Sequence, residues 1–304
     1  MDTTKKRTRI AVTAGDPFGI GPEVALAAAA QFPDEAITLY GDPQQLAAHK
    51  NVVAVPVLGE RTAAPGPSAA GGAAALDALH HAMADLRDKK QDVLVTAPMS
   101  KESCALSGRV VDGHTGVLGR FFDVADPLMA FVWDEAEPVV ALLTVHVPLK
   151  SVARSLTSAK VERAVRLLHE SLATRFRRER ARIGVLGLNP HAGERGLMGT
   201  EESDHIEPAI RRLRADGLDV VGPIPGDTAF VDRTRFDGLL AMYHDQALAP
   251  VKALGFHEAV NVTLGLPIVR TSPAHGTAFD IAGKNEANPA SMAAAIRWAL
   301  HLGQ

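Results

Sequence analysis

Three of the chain's twelve histidines directly follow apolar runs and are therefore candidates for chemistry. His146 lies in TVHVP, His191 in LNPHAGE and His244 in MYHDQ. Neutral imidazole binds Zn, Co, Ni or Fe, and three protein ligands beside one open position are typical of catalytic zinc. The sequence contains no compact metal motif such as HExxH or CxxC. The spacing therefore leaves two interpretations open: one shared metal site, or separate histidines held by unrelated hydrogen bonds.

Two acidic residues could assist such a site. Asp245 is the neighbour of His244, and Asp227 lies in the turn-rich stretch PGDTAF. A carboxylate that accepts a hydrogen bond from a ligating imidazole fixes its tautomer, and a carboxylate beside a reacting group can act as a general base. Either residue could instead cap a helix or stabilise a turn.

Two cations and an amide follow MYHDQ within one domain-sized window, namely Lys252, Asn261 and Arg270. Lys and Arg bind phosphate or carboxylate groups through charge-assisted hydrogen bonds, and Asn can add its amide N–H. Taken singly, the same residues could be scattered surface groups. A standard dinucleotide-binding turn is disfavoured, because GIGPEV has valine at the position of the third glycine of GxGxxG.

The segment HGTAFDIAGKNEANP (275–289) is glycine-rich without being low in complexity. It carries one acid, Asp280, and two amides, Asn285 and Asn288, ahead of a predicted helix. An acid in such a loop can accept hydrogen bonds from the hydroxyl groups of a ribose. The segment is therefore a candidate nucleotide-binding loop.

Apolar runs of strand length alternate with longer helical patterns along the chain. This alternation is typical of an α/β protein with a mainly parallel sheet, in which ligands bind beyond the carboxyl ends of the strands. The runs 128–133 and 138–145 leave no room for a helix between them and predict an antiparallel hairpin, where a second domain begins. The predicted strands are 9–14, 36–40, 52–58, 92–96, 128–133, 138–145, 182–188, 237–243 and 259–264, and the predicted helices are 21–31, 73–89, 158–178, 201–216 and 289–302.

The composition narrows the class of protein. A chain of 304 residues with 46% hydrophobic and 22% charged residues is typical of a globular protein of roughly two domains. The net charge of -3 gives no general attraction to nucleic acid or to an anionic membrane. The one cysteine, Cys104, forms no intramolecular disulfide, and neither a signal peptide nor a run of 18 apolar residues occurs. We therefore expect a cytoplasmic protein without a nucleic-acid or membrane partner.

Seven motifs in order resemble one family. They are VTAGDPFGIGPEV, GHT, TVHVPL, GLNPHAGE, GPIPGDTAF, YHDQ and GFHEAVNVTLGLPIVRTSPAHGTAFDIAGK. Together they are similar to the 4-hydroxythreonine-4-phosphate dehydrogenases of vitamin B6 synthesis, whose fold the isocitrate and isopropylmalate dehydrogenases share. The resemblance implies a two-domain α/β fold with an active-site cleft between the domains. Residues 1–112 plus 270–304 would form domain one, and 113–269 would form domain two, which carries the metal and substrate ligands and the dimer contacts.

The resemblance also implies the metal and substrate contacts. A divalent metal (Zn, Mg or Co) would be held by His146, His191 and His244, drawn from both subunits of a homodimer with shared active sites. Asp227 and Asp245 are the candidates for the general base. The phosphorylated substrate would be bound by His114, Thr115, Lys252, Asn261 and Arg270.

The cofactor implied by the resemblance is NAD. Its loop would be 275–288, with contacts from His275, Gly276, Asp280 and Asn288. Asp280 would favour NAD over NADP because it leaves no room for a 2′-phosphate.

The implied reaction is the NAD-dependent and metal-dependent oxidation of 4-phosphohydroxy-L-threonine to 2-amino-3-oxo-4-phosphooxybutanoate. Loss of CO₂ then gives 3-amino-2-oxopropyl phosphate, in pyridoxal phosphate synthesis. Gly116, Ala247 and Ala274 depart from the family pattern, so the same chemistry on 4-phospho-D-threonate or a related phosphorylated hydroxy acid stays open. A more distant alternative is a metal-dependent hydrolase or a non-catalytic metal-binding protein, although a hydrolase would have no use for the nucleotide loop.

Overall fold

The computed structural model describes residues 7–58, 65–256 and 258–304. Its strands are β1 (Arg9–Thr13), β2 (Ala36–Gly41), β3 (Val52–Ala54), β4 (Val93–Thr96), β5 (Leu128–Val132), β6 (Val139–Leu142), β7 (Ile183–Leu186), β8 (Val220–Ile224), β9 (Gly238–Ala241), β10 (Val260–Leu264) and β11 (Val269–Pro273). Its α-helices are α1 (Gly21–Ala29), α2 (Pro43–Leu46), α3 (Ala69–Arg87), α4 (Lys101–Leu106), α5 (His114–Phe121), α6 (Leu149–Ser155), α7 (Ser158–Thr174), α8 (Glu207–Ala215), α9 (His244–Gly255) and α10 (Ala290–Leu302). Short 3₁₀ segments cover Pro190–Gly196 and Arg233–Arg235, and a π-helical turn covers Glu202–Ile206.

The chain divides into two compact units. Unit 1 consists of Met1–Pro127 and Val260–Gln304, and unit 2 consists of Leu128–Ala259. These bounds differ from the predicted domain boundaries at 112 and 270. The helix α5 stays with unit 1 because Val117 and Leu118 are buried in that unit's core, and β10 stays there because it pairs with β11. His114, Thr115 and Asn261, which are predicted for the second domain, therefore lie in unit 1.

The strands of unit 1 follow the order β3-β2-β1-β4-β11-β10. The pairs β1–β2, β1–β4, β2–β3 and β4–β11 are parallel, and β10–β11 is antiparallel. The central strands consist of buried apolar residues such as Ile10, Val12 and Leu94, as a sheet covered on both faces requires. The prediction of an α/β protein with a mainly parallel sheet is confirmed for this unit.

Glycine lets the helices of unit 1 pack closely. The helix α3 begins after Ser68, whose hydroxyl oxygen accepts from the backbone N–H of Gly71 at 3.0 Å. At the next position, a Cβ added to Gly72 would lie 2.0 Å from the carbonyl oxygen of Ser103 in α4. The backbones of α3 and α4 are therefore in contact at a place where only glycine fits.

The strands of unit 2 follow the order β5-β6-β9-β7-β8. The predicted hairpin is confirmed, because β5 and β6 pair antiparallel, whereas β6–β9, β9–β7 and β7–β8 are parallel. The three parallel neighbours β6, β9 and β7 end at the same edge of the sheet. His146, His244 and His191 follow these three strands in that order.

Several elements differ from the sequence-based expectations. The strands β8 and β11 and the helices α5, α6 and α9 are not among the predicted elements, and His244, which is predicted to lie at a strand end, is the first residue of α9. The predicted helix 201–216 is a π-helical turn that continues into α8. None of the helices within the described ranges combines the length and the apolar character of a membrane span.

Candidate active site

Two of the three predicted metal ligands lie together in unit 2. The ring centroids of His146 and His244 are 5.7 Å apart. The two strand ends that carry them are joined by Thr144, whose hydroxyl donates to the carbonyl oxygen of Met242 at 2.7 Å. Because β6 and β9 are parallel neighbours, the loops that leave them are held side by side.

Asp245 contacts the imidazole of His244. The Nδ1 atom of His244 and the Oδ1 atom of Asp245 are 2.6 Å apart, and the side chain of Asp245 is 86% exposed. When Nδ1 carries the proton and donates to this carboxylate, Nε2 keeps a free lone pair, which is the tautomer that binds a metal through Nε2. The predicted role of Asp245 as a partner of the ligating histidine is compatible with this geometry, and its role as a base stays a prediction.

His191 lies in a turn of unusual backbone conformation. Five consecutive residues, from His191 to Arg195, have positive φ values between 41° and 76°. Only Gly193 among them lacks a Cβ, and the left-handed conformation is unfavourable for every other residue. Strained backbone of this kind persists only where the surroundings hold it, and it is concentrated at functional sites.

The structure does not bring His191 into one cluster with the other two histidines. Within residues 7–58, 65–256 and 258–304, no group of three or more His, Cys, Asp or Glu side chains could hold a metal ion. His191 lines a cavity of about 570 Å³ in unit 2, and neither His146 nor His244 is among the lining residues. A metal site made by one chain from these three histidines alone is therefore not formed, and ligation by two subunits stays a prediction.

The His191 cavity contains the second acid that the sequence singles out. Asp227 lines it together with Asn189, His191, Phe230, Tyr243 and Gln246. The side-chain amide of Gln246 accepts from the backbone N–H of Met242 at 2.7 Å and donates to the carbonyl oxygen of Gly187 at 2.7 Å. One side chain therefore connects the end of β9 to the loop after β7.

Arg270 forms a buried cationic site in unit 1. Its guanidinium group donates to the hydroxyl groups of Thr96 and Thr263 at 2.6 and 2.9 Å and to the side-chain oxygen of Asn261 at 3.1 Å. The side chain is 3% exposed, and no carboxylate in the described ranges forms an ion pair with it. Burial lowers the pKa of Arg270 to about 9, so the group is still charged at neutral pH. A buried cation whose neighbours are all neutral is a candidate anion site.

His114 belongs to the same site, because it lies close enough to Arg270 for that positive charge to lower the pKa of its imidazole. Burial, and then the positive charge of Arg270, lower the pKa of His114 to about 3, so its imidazole is neutral at pH 7. His114 is the first residue of α5, and Thr115 follows it; both are half-buried. Three predicted substrate residues, Arg270, Asn261 and His114, are thus brought together, with Thr115 adjacent. Lys252 is exposed on α9 in unit 2.

The candidate nucleotide loop packs against the turn between β1 and α1. The carbonyl oxygen of Thr277 accepts from the backbone N–H of Ile20 at 2.9 Å, and a Cβ at Gly19 would lie 2.8 Å from that oxygen. The Nε2 atom of His275 is buried without a hydrogen-bond partner, while Gly276 has open space around it. Both features leave room for polar contacts to a ligand.

The two remaining candidate NAD residues differ in their surroundings. Asp280 is exposed, as a residue that accepts from ribose hydroxyls must be. The side-chain oxygen of Asn288 accepts from the backbone N–H of Ala290 at 2.9 Å and so caps the start of α10. The amide nitrogen of Asn288 and the second lone pair of its oxygen remain for a cofactor.

Three residues around these sites are missed by the sequence analysis. Thr96 and Thr263 hold the guanidinium group of Arg270, and Glu202 is buried beneath the loop that carries His191. Threonines in apolar strands look like ordinary β-branched core residues, and one glutamate ahead of a helix looks like a solvent-exposed residue. Nothing in the sequence around these three residues indicates that they are buried and form polar contacts.

The fold is also found in a group of dehydrogenases. A β-decarboxylating dehydrogenase from Thermococcus kodakarensis has the same fold, with a TM-score of 0.52 at 16% sequence identity over 95% of this chain and 82% of that one. The protein is therefore an α/β protein with the fold of the β-decarboxylating dehydrogenases.

Closer relatives define the family. Residues 13–299 match the family described as pyridoxal phosphate biosynthetic protein PdxA. The 4-hydroxythreonine-4-phosphate dehydrogenase of Methylorubrum populi is 41% identical over 331 residues, which cover 97% of this chain and 94% of that protein. The crystal structure of a 4-hydroxythreonine-4-phosphate dehydrogenase from Klebsiella pneumoniae matches with a TM-score of 0.89 at 34% identity and covers 99% of this chain and 100% of that one. The chain belongs to the PdxA family and is an oxidoreductase, as the resemblance of its motifs predicts.

Proposed function

We propose that this protein oxidises 4-phosphohydroxy-L-threonine with NAD⁺ and a divalent metal, and that the 3-oxo acid then loses CO₂ to give 3-amino-2-oxopropyl phosphate. The observation that carries the proposal is the buried guanidinium group of Arg270, which has neutral hydrogen-bond partners and no carboxylate. A phosphate group supplies the negative charge that this site lacks. The names of the relatives at about 40% identity support the same substrate.

Anchoring of the phosphate by Arg270 and Asn261 positions the rest of the substrate. A fixed phosphate converts binding energy into orientation of the hydroxyl group that is to be oxidised. His114 is uncharged at neutral pH, so its imidazole can donate and accept hydrogen bonds at the substrate without adding a second positive charge. Lys252 is the further candidate for a contact to the phosphate, and Thr115 for a contact to the substrate.

The residues fit a divalent metal in part. His146 and His244 offer two imidazoles 5.7 Å apart, and the contact of His244 with Asp245 suits the ligating tautomer. We propose that His191 of a second copy completes the set, with zinc as a suitable ion for three imidazoles. A metal held there would supply a Lewis acid for the secondary hydroxyl group, and NAD⁺ held along 275–288 would supply the hydride acceptor. Asp227 and Asp245 remain the candidates for the base that takes the hydroxyl proton.

A homodimer with shared sites would also cover exposed apolar side chains. Val147 and Leu149 follow His146 and are exposed, and Leu197 at the end of the His191 loop is 82% exposed. Apolar side chains of this size next to candidate ligands are typical of an interface. A second copy is the occupant that would supply His191 at the same time.

We propose NAD rather than NADP as the cofactor, bound along 275–288. The support is the exposed carboxylate of Asp280, which would accept from a ribose diol and repel a 2′-phosphate. The buried thiol of Cys104 fits a reducing compartment, and we propose the cytoplasm as the location.

The decisive experiment measures NADH formation by the purified protein with NAD⁺ and Zn²⁺, Mg²⁺ or Co²⁺. 4-Phosphohydroxy-L-threonine and 4-phospho-D-threonate are supplied in parallel. We expect NADH and CO₂ with the hydroxythreonine phosphate, and we expect Arg270→Met to abolish both. A higher kcat/KM with the threonate would replace the proposed substrate, and absence of NADH with both would overturn the dehydrogenase proposal.

A further inference from the structure

Glu202 is buried beneath the loop that carries His191. Its side chain is 3% exposed. Its Oε1 atom accepts from the backbone N–H groups of Leu188 and Asn189 at 2.8 and 2.7 Å, and its Oε2 atom accepts from the side-chain amide of Asn189 at 2.9 Å. Hydrogen bonds to an ionised acceptor are roughly twice as strong as those between neutral groups. One carboxylate therefore fixes both the backbone and a side chain directly ahead of His191.

The loop wraps closely around this carboxylate. A Cβ added to Gly193 would lie 2.5 Å from Oε2 of Glu202, and a Cβ added to Gly187 would lie 3.3 Å from Oε1. Glycines before and after His191 thus bring the backbone up to the same side chain. The shape of the loop and the position of the carboxylate depend on each other.

The backbone conformation of the loop from His191 to Arg195 is unfavourable by itself. His191, Ala192, Glu194 and Arg195 are non-glycine residues with φ values of 52°, 50°, 41° and 59°. Each such residue costs about 1–2 kcal/mol relative to the right-handed conformation. The hydrogen bonds of Glu202 hold Leu188 and Asn189, which lead into this segment, and Gly193 within it lies against the same carboxyl group.

We propose that Glu202 is the positioning residue that holds His191 in its metal-binding conformation. The proposal rests on the proposed role of His191 as a metal ligand. Replacement by glutamine keeps the length of the side chain and one acceptor oxygen, but it removes the negative charge and replaces one of the two acceptor oxygens by an NH₂ group, which weakens the contacts to the loop. Outer partners of metal ligands affect metal affinity by about 10–100-fold when they are replaced.

The test measures Zn²⁺ affinity of the metal-free full-length protein by competition with a chromophoric chelator. We expect Glu202→Gln to weaken Zn²⁺ binding 10–100-fold. The control is Glu137→Gln, because Glu137 is another carboxylate of unit 2 that is only 15% exposed but pairs with Arg233 at 2.6 Å. This control is expected to lower the melting temperature and to leave Zn²⁺ affinity within threefold of the original value.

A double-mutant cycle with His191→Ala separates positioning from a general loss of structure. If Glu202 acts through His191, Glu202→Gln has no further effect on Zn²⁺ affinity once His191 is alanine. An equal loss of affinity in both backgrounds would overturn the proposal. So would unchanged affinity of Glu202→Gln when His191→Ala has lost it, whereas unchanged affinity of His191→Ala itself would overturn the proposed metal role instead.

A second variant is used if Glu202→Gln does not fold. Glu202→Asp keeps the charge and shortens the reach, so the loop loses contact while the buried group stays an acceptor. The same cycle and the same criteria apply to it. In addition, the amides of Leu188 and Asn189 are expected to exchange with deuterium faster in the variant than in the original protein, before any metal is added. Unchanged exchange at both amides would contradict the loop-holding role.

Discussion

Replacement of Arg270 by lysine should make anion binding dependent on pH. Burial lowers the pKa of the guanidinium group from 12.5 to about 9. At about 1.4 kcal/mol per pKa unit, the charged form is destabilised by roughly 5 kcal/mol on folding. The arginine nevertheless keeps its proton at pH 6–8, since its folded pKa lies above that range. His114 also does not titrate there, because its pKa is about 3.

The same burial would have a larger effect on the charge of a lysine at neutral pH, because the ordinary pKa of lysine is lower than that of arginine. Full burial lowers the pKa of a lysine by up to about 3–5 units from roughly 10.4, which brings its titration towards neutral pH. The charged fraction should then fall between pH 6 and pH 8, and anion affinity should fall with it, by up to about tenfold. A base with a lowered folded pKa binds fewer protons in the folded state, and the variant should become more stable as pH rises from about 7 towards 10.

Sulfate is the suitable probe, because it is a dianion over the whole range. Its affinity is measured by calorimetry at pH 6, 7 and 8 for the original protein, for Arg270→Lys and for Arg120→Lys. Arg120 lies on α5, is exposed and pairs with Asp112 at 3.1 Å, so its replacement should leave sulfate affinity unchanged. A flat profile for Arg270→Lys, or sulfate binding by Arg270→Met equal to that of the original protein, would refute the reasoning.

Three further changes test other parts of the molecule. Gly72→Ala should lower the free energy of unfolding in urea by about 1–3 kcal/mol, since its Cβ would lie 2.0 Å from the carbonyl oxygen of Ser103, while Gly66→Ala, with nothing within 4 Å, should not. His191→Ala should lose bound metal by mass spectrometry and lose activity while its circular dichroism is kept; a metal-replete, active variant contradicts this. Asp280→Ala should raise the ratio of kcat/KM for NADP to that for NAD, and an unchanged ratio argues against a ribose contact.

The sequence correctly predicts those strands that consist of runs of apolar residues. The runs that form β1, β4 and β9 predict buried parallel strands, and the two runs without a helix between them predict the hairpin. β11 is missed because its sequence, VRTSP, contains buried polar residues, among them Arg270 and Ser272. A rule that equates buried strands with apolar residues fails where the interior of the sheet carries a charge.

The sequence singles out candidate residues for the site, but it does not specify how they are grouped in space. A histidine at a strand end can be read from the sequence, but the strand order that sets β9 between β6 and β7 cannot. Sequence spacing therefore favours no pair among the three histidines, whereas the structure places the rings of His146 and His244 5.7 Å apart and His191 in the lining of a cavity with Asp227. The support from Glu202 depends largely on backbone N–H groups, which every residue except proline has, so the sequence does not specify it.

The two hydrogen bonds of the Gln246 side-chain amide limit which amino acids can replace it. The position needs an acceptor for the N–H of Met242 and a donor for the carbonyl oxygen of Gly187. A glutamate would accept without donating at neutral pH, a lysine would donate without accepting, and an asparagine is one methylene shorter. No single substitution of similar length keeps both contacts, so residue 246 can change only together with one of the two loops that it joins. The turn into α9 and the loop after β7 are therefore expected to change together in sequence, although more than fifty residues of chain separate them.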